Sequence, residues 1–114
     1  MTAMYVDTSV RGNAASISPH CDIDVHTLPQ VLAAFAALPP GVTEVTLDLA
    51  DAPFMDIAGL NLLVGQRSAA RVRRGTLTVT GLGAQPHRLL LIADRVFPGT
   101  HFGEFLPDGA GRTS

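Results

Sequence analysis

The sequence has no lysine, a single cysteine and only 5% aromatic residues in 114 positions. Each shortage excludes something. Without lysine no Walker-type glycine–lysine phosphate loop can be built, and all eight basic residues are arginine. One thiol, Cys21, cannot close an internal disulfide, so nothing calls for an oxidising compartment. Charge is scarce as well: 16% of residues carry it, the formal net charge is −2 and the pI is near 6.0. That balance argues against nucleic acid as a partner, because a phosphate-binding surface needs a local excess of basic side chains. The longest apolar runs, residues 31–40 and 89–93, fall far short of the roughly 18–20 residues of a membrane span. Residues 1–10 have neither the basic nor the apolar region of a signal peptide. The expectation is a cytoplasmic protein without direct membrane insertion.

What the chain does have is apolar bulk. Hydrophobic residues make up 46% and mean hydropathy is +0.28, enough for one core built mostly from Ala, Val, Leu and Ile. One domain over residues 1–106 and a mobile, glycine-containing tail over 107–114 are expected. Residues 4–10 and 14–19, separated by Arg11-Gly12-Asn13, read as a hairpin. Thr27-Leu28-Pro29-Gln30 fits a capping box, followed by Leu28, Val31, Leu32, Phe35 and Leu38 at helical spacing. Pro39-Pro40-Gly41 stops that helix. Residues 42–50 alternate with period two, Val45, Leu47 and Leu49 on one side. Asp56 is an N-cap for a helix over 58–74 with Leu60, Leu63, Val64 and Ala70 inward, ended by Gly75. Residues 76–80 form a β-branched strand, 85–94 a helix burying Leu89, Ile92 and Ala93, and 100–106 a last strand. The order ββαβαβαβ predicts an α/β fold: a mixed sheet with an N-terminal hairpin and helices mainly on one face. The other face then needs polar strands or a partner.

Most chemistry-bearing patterns reduce to ordinary structure. Gly81-Leu82-Gly83-Ala84-Gln85-Pro86 follows a strand and opens a helix, but Pro86 stands where a dinucleotide fingerprint has its third glycine and no second βαβ half follows. It reads as a β-to-α turn, and no cofactor is expected. His20, Cys21, Asp22, Asp24 and His26 crowd together, yet their spacing matches no zinc pattern and His87 and His101 are distant. Cys21 and His20 are adjacent and so face opposite ways on a strand, which excludes a nucleophile–base pair. Arg67, Arg71 and Arg74 form an outward stripe, read as a solvated face near a helix C-terminus. No nucleophile, base and orienter converge, so no enzyme is expected.

The informative stretch runs over residues 45–60: an aliphatic–Asp strand, Phe54-Met55, then Asp56-Ile57-Ala58-Gly59-Leu60 at a helix start. Here the sequence resembles the STAS domain family, of the bacterial anti-sigma factor antagonist type. Cys21-Asp22-Ile23-Asp24 stands where the family has Gly-Glu-(Leu/Ile)-Asp, and Thr76-Leu77-Thr78-Val79 and Pro86-His87-Arg88-Leu89-Leu90 also look like family segments. The resemblance covers residues 4–106. It implies a regulatory protein that binds an anti-sigma factor or related kinase-type regulator, with Asp22, Asp24, Asp56, Ile57, Ala58 and Gly59 as partner-binding residues. It also implies a switch by phosphorylation of a serine directly after the motif aspartate, where a phosphate adds about −1.5 to −2 charges to a docking surface. That position is Ile57 here and the next is Ala58, neither with a hydroxyl, and no Ser or Thr lies between residues 47 and 66. The covalent step is therefore absent from this place. Two readings stay open: an unswitched antagonist or adaptor, or an interaction or small-ligand-binding subunit of a membrane transporter complex. A homodimer is compatible with both.

Overall fold

The protein is described by a computed structural model covering residues 6–107. Its first two strands, β1 (Val6–Arg11) and β2 (Ala14–Pro19), pair antiparallel across the Gly12-Asn13 turn, Val6 opposite Pro19 and Arg11 opposite Ala14. The expected start of the first strand at residues 4 and 5, and the tail over 108–114, lie outside the described residues. A helix α1 (Leu28–Ala36) then leads to β3 (Glu44–Asp48), α2 (Ile57–Val72) to β4 (Thr76–Thr80), and α3 (Ala84–Val96) follows. The strands form one sheet in the order β1-β2-β3-β4, with β2, β3 and β4 mutually parallel. This is the mixed α/β sheet with an N-terminal hairpin that the pattern predicts.

Register explains which face is covered. Ala15, Val45 and Leu77 share one row and Ile17, Leu47 and Val79 the next, all on one side. There they join Val31 and Phe35 of α1, Leu60, Leu62 and Leu63 of α2, and Leu90 and Ala93 of α3 in a single core. The opposite rows run Ala14–Glu44–Thr76 and Ser16–Thr46–Thr78, flanked by Asp7, Ser9 and Arg11 of β1. Short hydroxyl and charged side chains thus let this second face meet water. Among the described residues, no helix is long and apolar enough to cross a membrane.

Four expectations need correction. The expected strand over 100–106 is absent: residues Pro98–Thr100 and Phe102–Phe105 are single 3₁₀ turns. Phe102 and Phe105 explain why. An odd spacing of three would send them to opposite faces of a strand, whereas a 3₁₀ turn aligns both on one side, and both are buried. Thr27 makes no capping box, because it already has helical angles and its hydroxyl instead donates to the Asp22 carbonyl at 2.6 Å. In α3 the buried set is Pro86, Leu90 and Ala93; Leu89 is only partly covered and Ile92 is exposed, and on α1 Leu32 also faces out.

The fourth concerns the arginine stripe. Arg67 is folded inward, its side chain 13% exposed, donating to the carbonyls of Thr100 and His101 and to Glu104 Oε1, with its guanidinium 4.8 Å from the Phe105 ring centroid. Those carbonyls belong to the 3₁₀ turns, so the arginine supplies donors where a strand ladder would otherwise be needed. Arg71 reaches the same Glu104 at 3.4 Å.

The end of α2 also differs in detail. Arg74, not Gly75, takes the left-handed conformation (φ +61°), and the amides of Gly75 and Arg74 bond back to the carbonyls of Ala70 and Arg71 in a Schellman motif. Gly75 is required for a different reason: a Cβ there would lie 1.9 Å from the Thr43 carbonyl oxygen. Two substitutions should therefore move stability in opposite directions in urea unfolding. Gly75→Ala is expected to cost about 2–3 kcal/mol through overpacking, and Arg74→Gly to add about 0.5–1 kcal/mol by relieving the left-handed side chain.

Candidate functional site

The site begins with two loops that come together as one isolated parallel bridge, Ile23 with Met55. The Ile23 amide donates to the Phe54 carbonyl at 2.9 Å, and the Asp56 amide donates to the Ile23 carbonyl at 3.1 Å. Ile23 and Met55 are essentially completely buried. Alternation then leaves Asp22 and Asp24 on one strand, and Phe54 and Asp56 on the other, at least partly exposed. The two stretches singled out in the sequence, far apart along the chain, thereby become neighbours.

In such a bridge the Met55 peptide groups face away from Ile23 and need another partner. Gln85, in the first turn of α3, provides it: its Oε1 accepts from the Met55 amide at 2.8 Å and its Nε2 donates to the Met55 carbonyl at 2.9 Å. One side-chain amide thus stands in for a neighbouring strand. The turn over residues 81–86, which resembles a phosphate loop only superficially, serves to deliver this residue.

The upstream loop is fixed by its own polar contacts. His20 lies 2.8 Å from Asp7 Oδ2 through Nε2 and 2.9 Å from Asp51 Oδ2 through Nδ1, joining the hairpin to the segment after β3. Asp24 Oδ1 accepts from the amides of His26 and Thr27 at 2.8 and 3.1 Å. These bonds, the one from Thr27 foremost, hold the Asp24 carboxyl below its ordinary range. Desolvation pushes the half-buried Cys21 thiol up, reinforced by Asp22 and Asp24 and only partly opposed by a hydrogen bond with Thr27, so Cys21 stays a protonated thiol at neutral pH. No group of three or more potential metal ligands exists among the described residues.

From Asp56 the chain turns into α2. Asp56 is extended and its Oδ1 accepts from the Ala58 amide at 2.8 Å, the N-cap that the sequence predicts. Ile57, the first helical residue, is 66% exposed, and Val25 (66%) and Phe54 (43%) belong to the same two loops. Ala58 is partly covered. Gly59 lies beneath the surface: a Cβ there would fall 2.0 Å from Met55 Cγ and 3.3 Å from Ile23 Cγ2. Gly59 therefore lets the helix close onto the bridge, and it offers no side chain to a partner. Beside Ile57 a groove of about 310 Å³ runs along α2, lined by Leu60, Val64, Phe97, Thr100 and Phe102. Thr100 and Phe102 of its far wall come from the segment expected to be a strand, so the groove is not foreseen from the pattern of residues.

A sheet of this connectivity, carrying a loop-to-helix tip at the C-terminal end of β3, defines a STAS-type domain. The chain belongs to that family: the model described as "Mlab, STAS domain" matches residues 6–94. Among 11 matching solved chains is the anti-sigma factor antagonist SpoIIAA in its unphosphorylated form, 19% identical, with a TM-score of 0.60 over 84% of this chain and 82% of that one. At that identity the likeness is one of fold. No curated protein matches the chain.

Two measurements test the site's construction. Gln85→Ala leaves two buried peptide groups without partners and should cost about 2–4 kcal/mol, with the Met55 amide losing protection in hydrogen exchange. Because its folded pKa is lowered, Asp24 contributes stability that is present above its unfolded pKa and lost as pH falls through the lower folded value. Asp24→Asn should flatten that acid limb in pH-dependent unfolding, and leave the region above it parallel to wild type.

Proposed function

We propose that this STAS domain is a non-enzymatic cytoplasmic docking module that binds an anti-sigma factor or related kinase-type regulator through the tip formed by Asp22, Asp24, Phe54, Asp56 and Ile57. The observation that carries the reading is the exposure of Ile57 at the first position of α2. A branched aliphatic side chain held in water on a rigid helix start gains about 1.5–3 kcal/mol if a partner buries it fully. Its surroundings suit docking: Val25 and Phe54 are also exposed, an apolar groove adjoins, and carboxylates edge the surface. Family switching needs a hydroxyl at the residue after the motif aspartate. With Ile57 and Ala58 there, this protein stays in its binding-competent form and is regulated by amount or by its partner.

The same lack of a hydroxyl favours a second reading, a permanent subunit of a membrane transporter complex, since a tip that cannot be modified suits lasting assembly. The arginine stripe gives that reading no help, because Arg67 is spent inside the fold.

Calorimetry with kinase-type anti-sigma factors tests the first reading. Binding tighter than about 100 μM is expected, weakened more than tenfold by Ile57→Glu. Failure with every such partner, together with co-purification of a transport ATPase or permease, would replace it with the second. Ile57→Ser should also turn the tip into a substrate for a bound serine kinase, read as a mass gain of one phosphate.

A further inference from the structure

The free edge of β4 has the properties of an interface. Because residues Pro98–Phe105 turn instead of forming a strand, β4 pairs only with β3 among the described residues. The Thr76 amide donates to the Thr43 carbonyl and the Thr80 carbonyl accepts from the Leu49 amide, so the even-numbered residues bond inward. The amides and carbonyls of Leu77 and Val79 therefore point away from the sheet, without backbone partners among the described residues. A groove of about 440 Å³ runs beside them, walled by Leu82, Glu104, Phe105 and Leu106.

The two edges of the sheet are treated differently. β1, the other edge, carries Asp7 and Arg11, charges that discourage strand addition. β4 reads Thr-Leu-Thr-Val-Thr, with three β-branched threonines, one valine, no charge and no proline. Nothing on it opposes pairing.

We infer that β4 binds β4 of a second copy of this chain, antiparallel across a two-fold axis at Thr78. The register follows from the outward groups. Leu77 faces the second copy's Val79 and Val79 its Leu77, which satisfies all the outward amides and carbonyls in four mutual hydrogen bonds. On the helix side, each copy's Leu77 and Val79 are only partly buried and extend the apolar wall made by Leu82 and Leu106, giving the incoming side chains an apolar seat. On the open side the contact is threonine against threonine, Thr76 to Thr80 and Thr78 to itself. The two-fold closes the assembly because β1 resists further growth.

The Thr78 side chain is exposed on the polar face, so it can be changed without touching the core. Sedimentation equilibrium of the full chain between about 10 and 200 μM should show a concentration-dependent dimer. Thr78→Lys and Thr78→Asp each place like charges across the axis and should weaken it at least tenfold, with melting of the monomer unchanged. An equimolar mixture of the two variants should restore the dimer, since each lysine then meets an aspartate. A monomeric wild type over that range, or a dimer indifferent to Thr78→Lys, overturns the proposal. So does a monomer in which the Leu77 and Val79 amides are protected from exchange, which would assign the edge to residues 108–114 of the same chain.

Discussion

The peptide group of Met55 is the point on which the site depends. It is buried at the seam of two loops, where an unpaired amide or carbonyl would cost as much as several surface contacts return. Ile23 takes care of the flanking peptides on one side and the Gln85 amide takes Met55 itself on the other. With those bonds made, the side chains of Ile23 and Met55 can enter the core, and Gly59 lets α2 settle on them. Asp22, Asp24, Phe54 and Asp56 then occupy fixed positions on the outside. A pre-set surface of this kind loses little conformational freedom when a partner arrives.

A second brace acts on the far side of the groove. Arg67, on α2, donates to carbonyls of the turns that follow α3 and lies over Phe105. The Gly103 amide is held in turn by Asp94 of α3 at 2.9 Å. The groove wall is thus tied to both helices, so its shape is a property of the folded core and not of a loose C-terminal segment.

What the sequence disclosed, and what it hid, follow from the range of the interactions. The Asp56 cap, the strand over residues 76–80 and the alternation around Val45 and Leu47 are local, set by one side chain or a short period, and the structure holds them. Ile57 was legible as a missing hydroxyl, and its exposure became visible only once the helix had a partnered face. The pairing of Ile23 with Met55 joins distant residues and leaves no periodic trace. The inward turn of Arg67 is hidden for the same reason, since a charged residue at helical spacing signals solvent until the carbonyls it serves are in place. The segment after α3 did carry a signal: Phe102 and Phe105, three apart and interrupted by Gly103, fit a turn better than a strand. Gln85 carried a weaker one, a lone amide in a first turn where an acidic residue would favour the helix dipole.

The parallel course of β3 and β4 has a geometric outcome for any pairing of β4 with its own image. Both strands run toward the Asp56 tip, and an antiparallel mate runs the opposite way. The two tips then sit at opposite poles of one continuous eight-stranded sheet, four strands from each copy. Such a particle cannot grip a single target with both ends at once. On the proposed reading, each tip of such a dimer would meet a separate target, at a spacing set by the sheet.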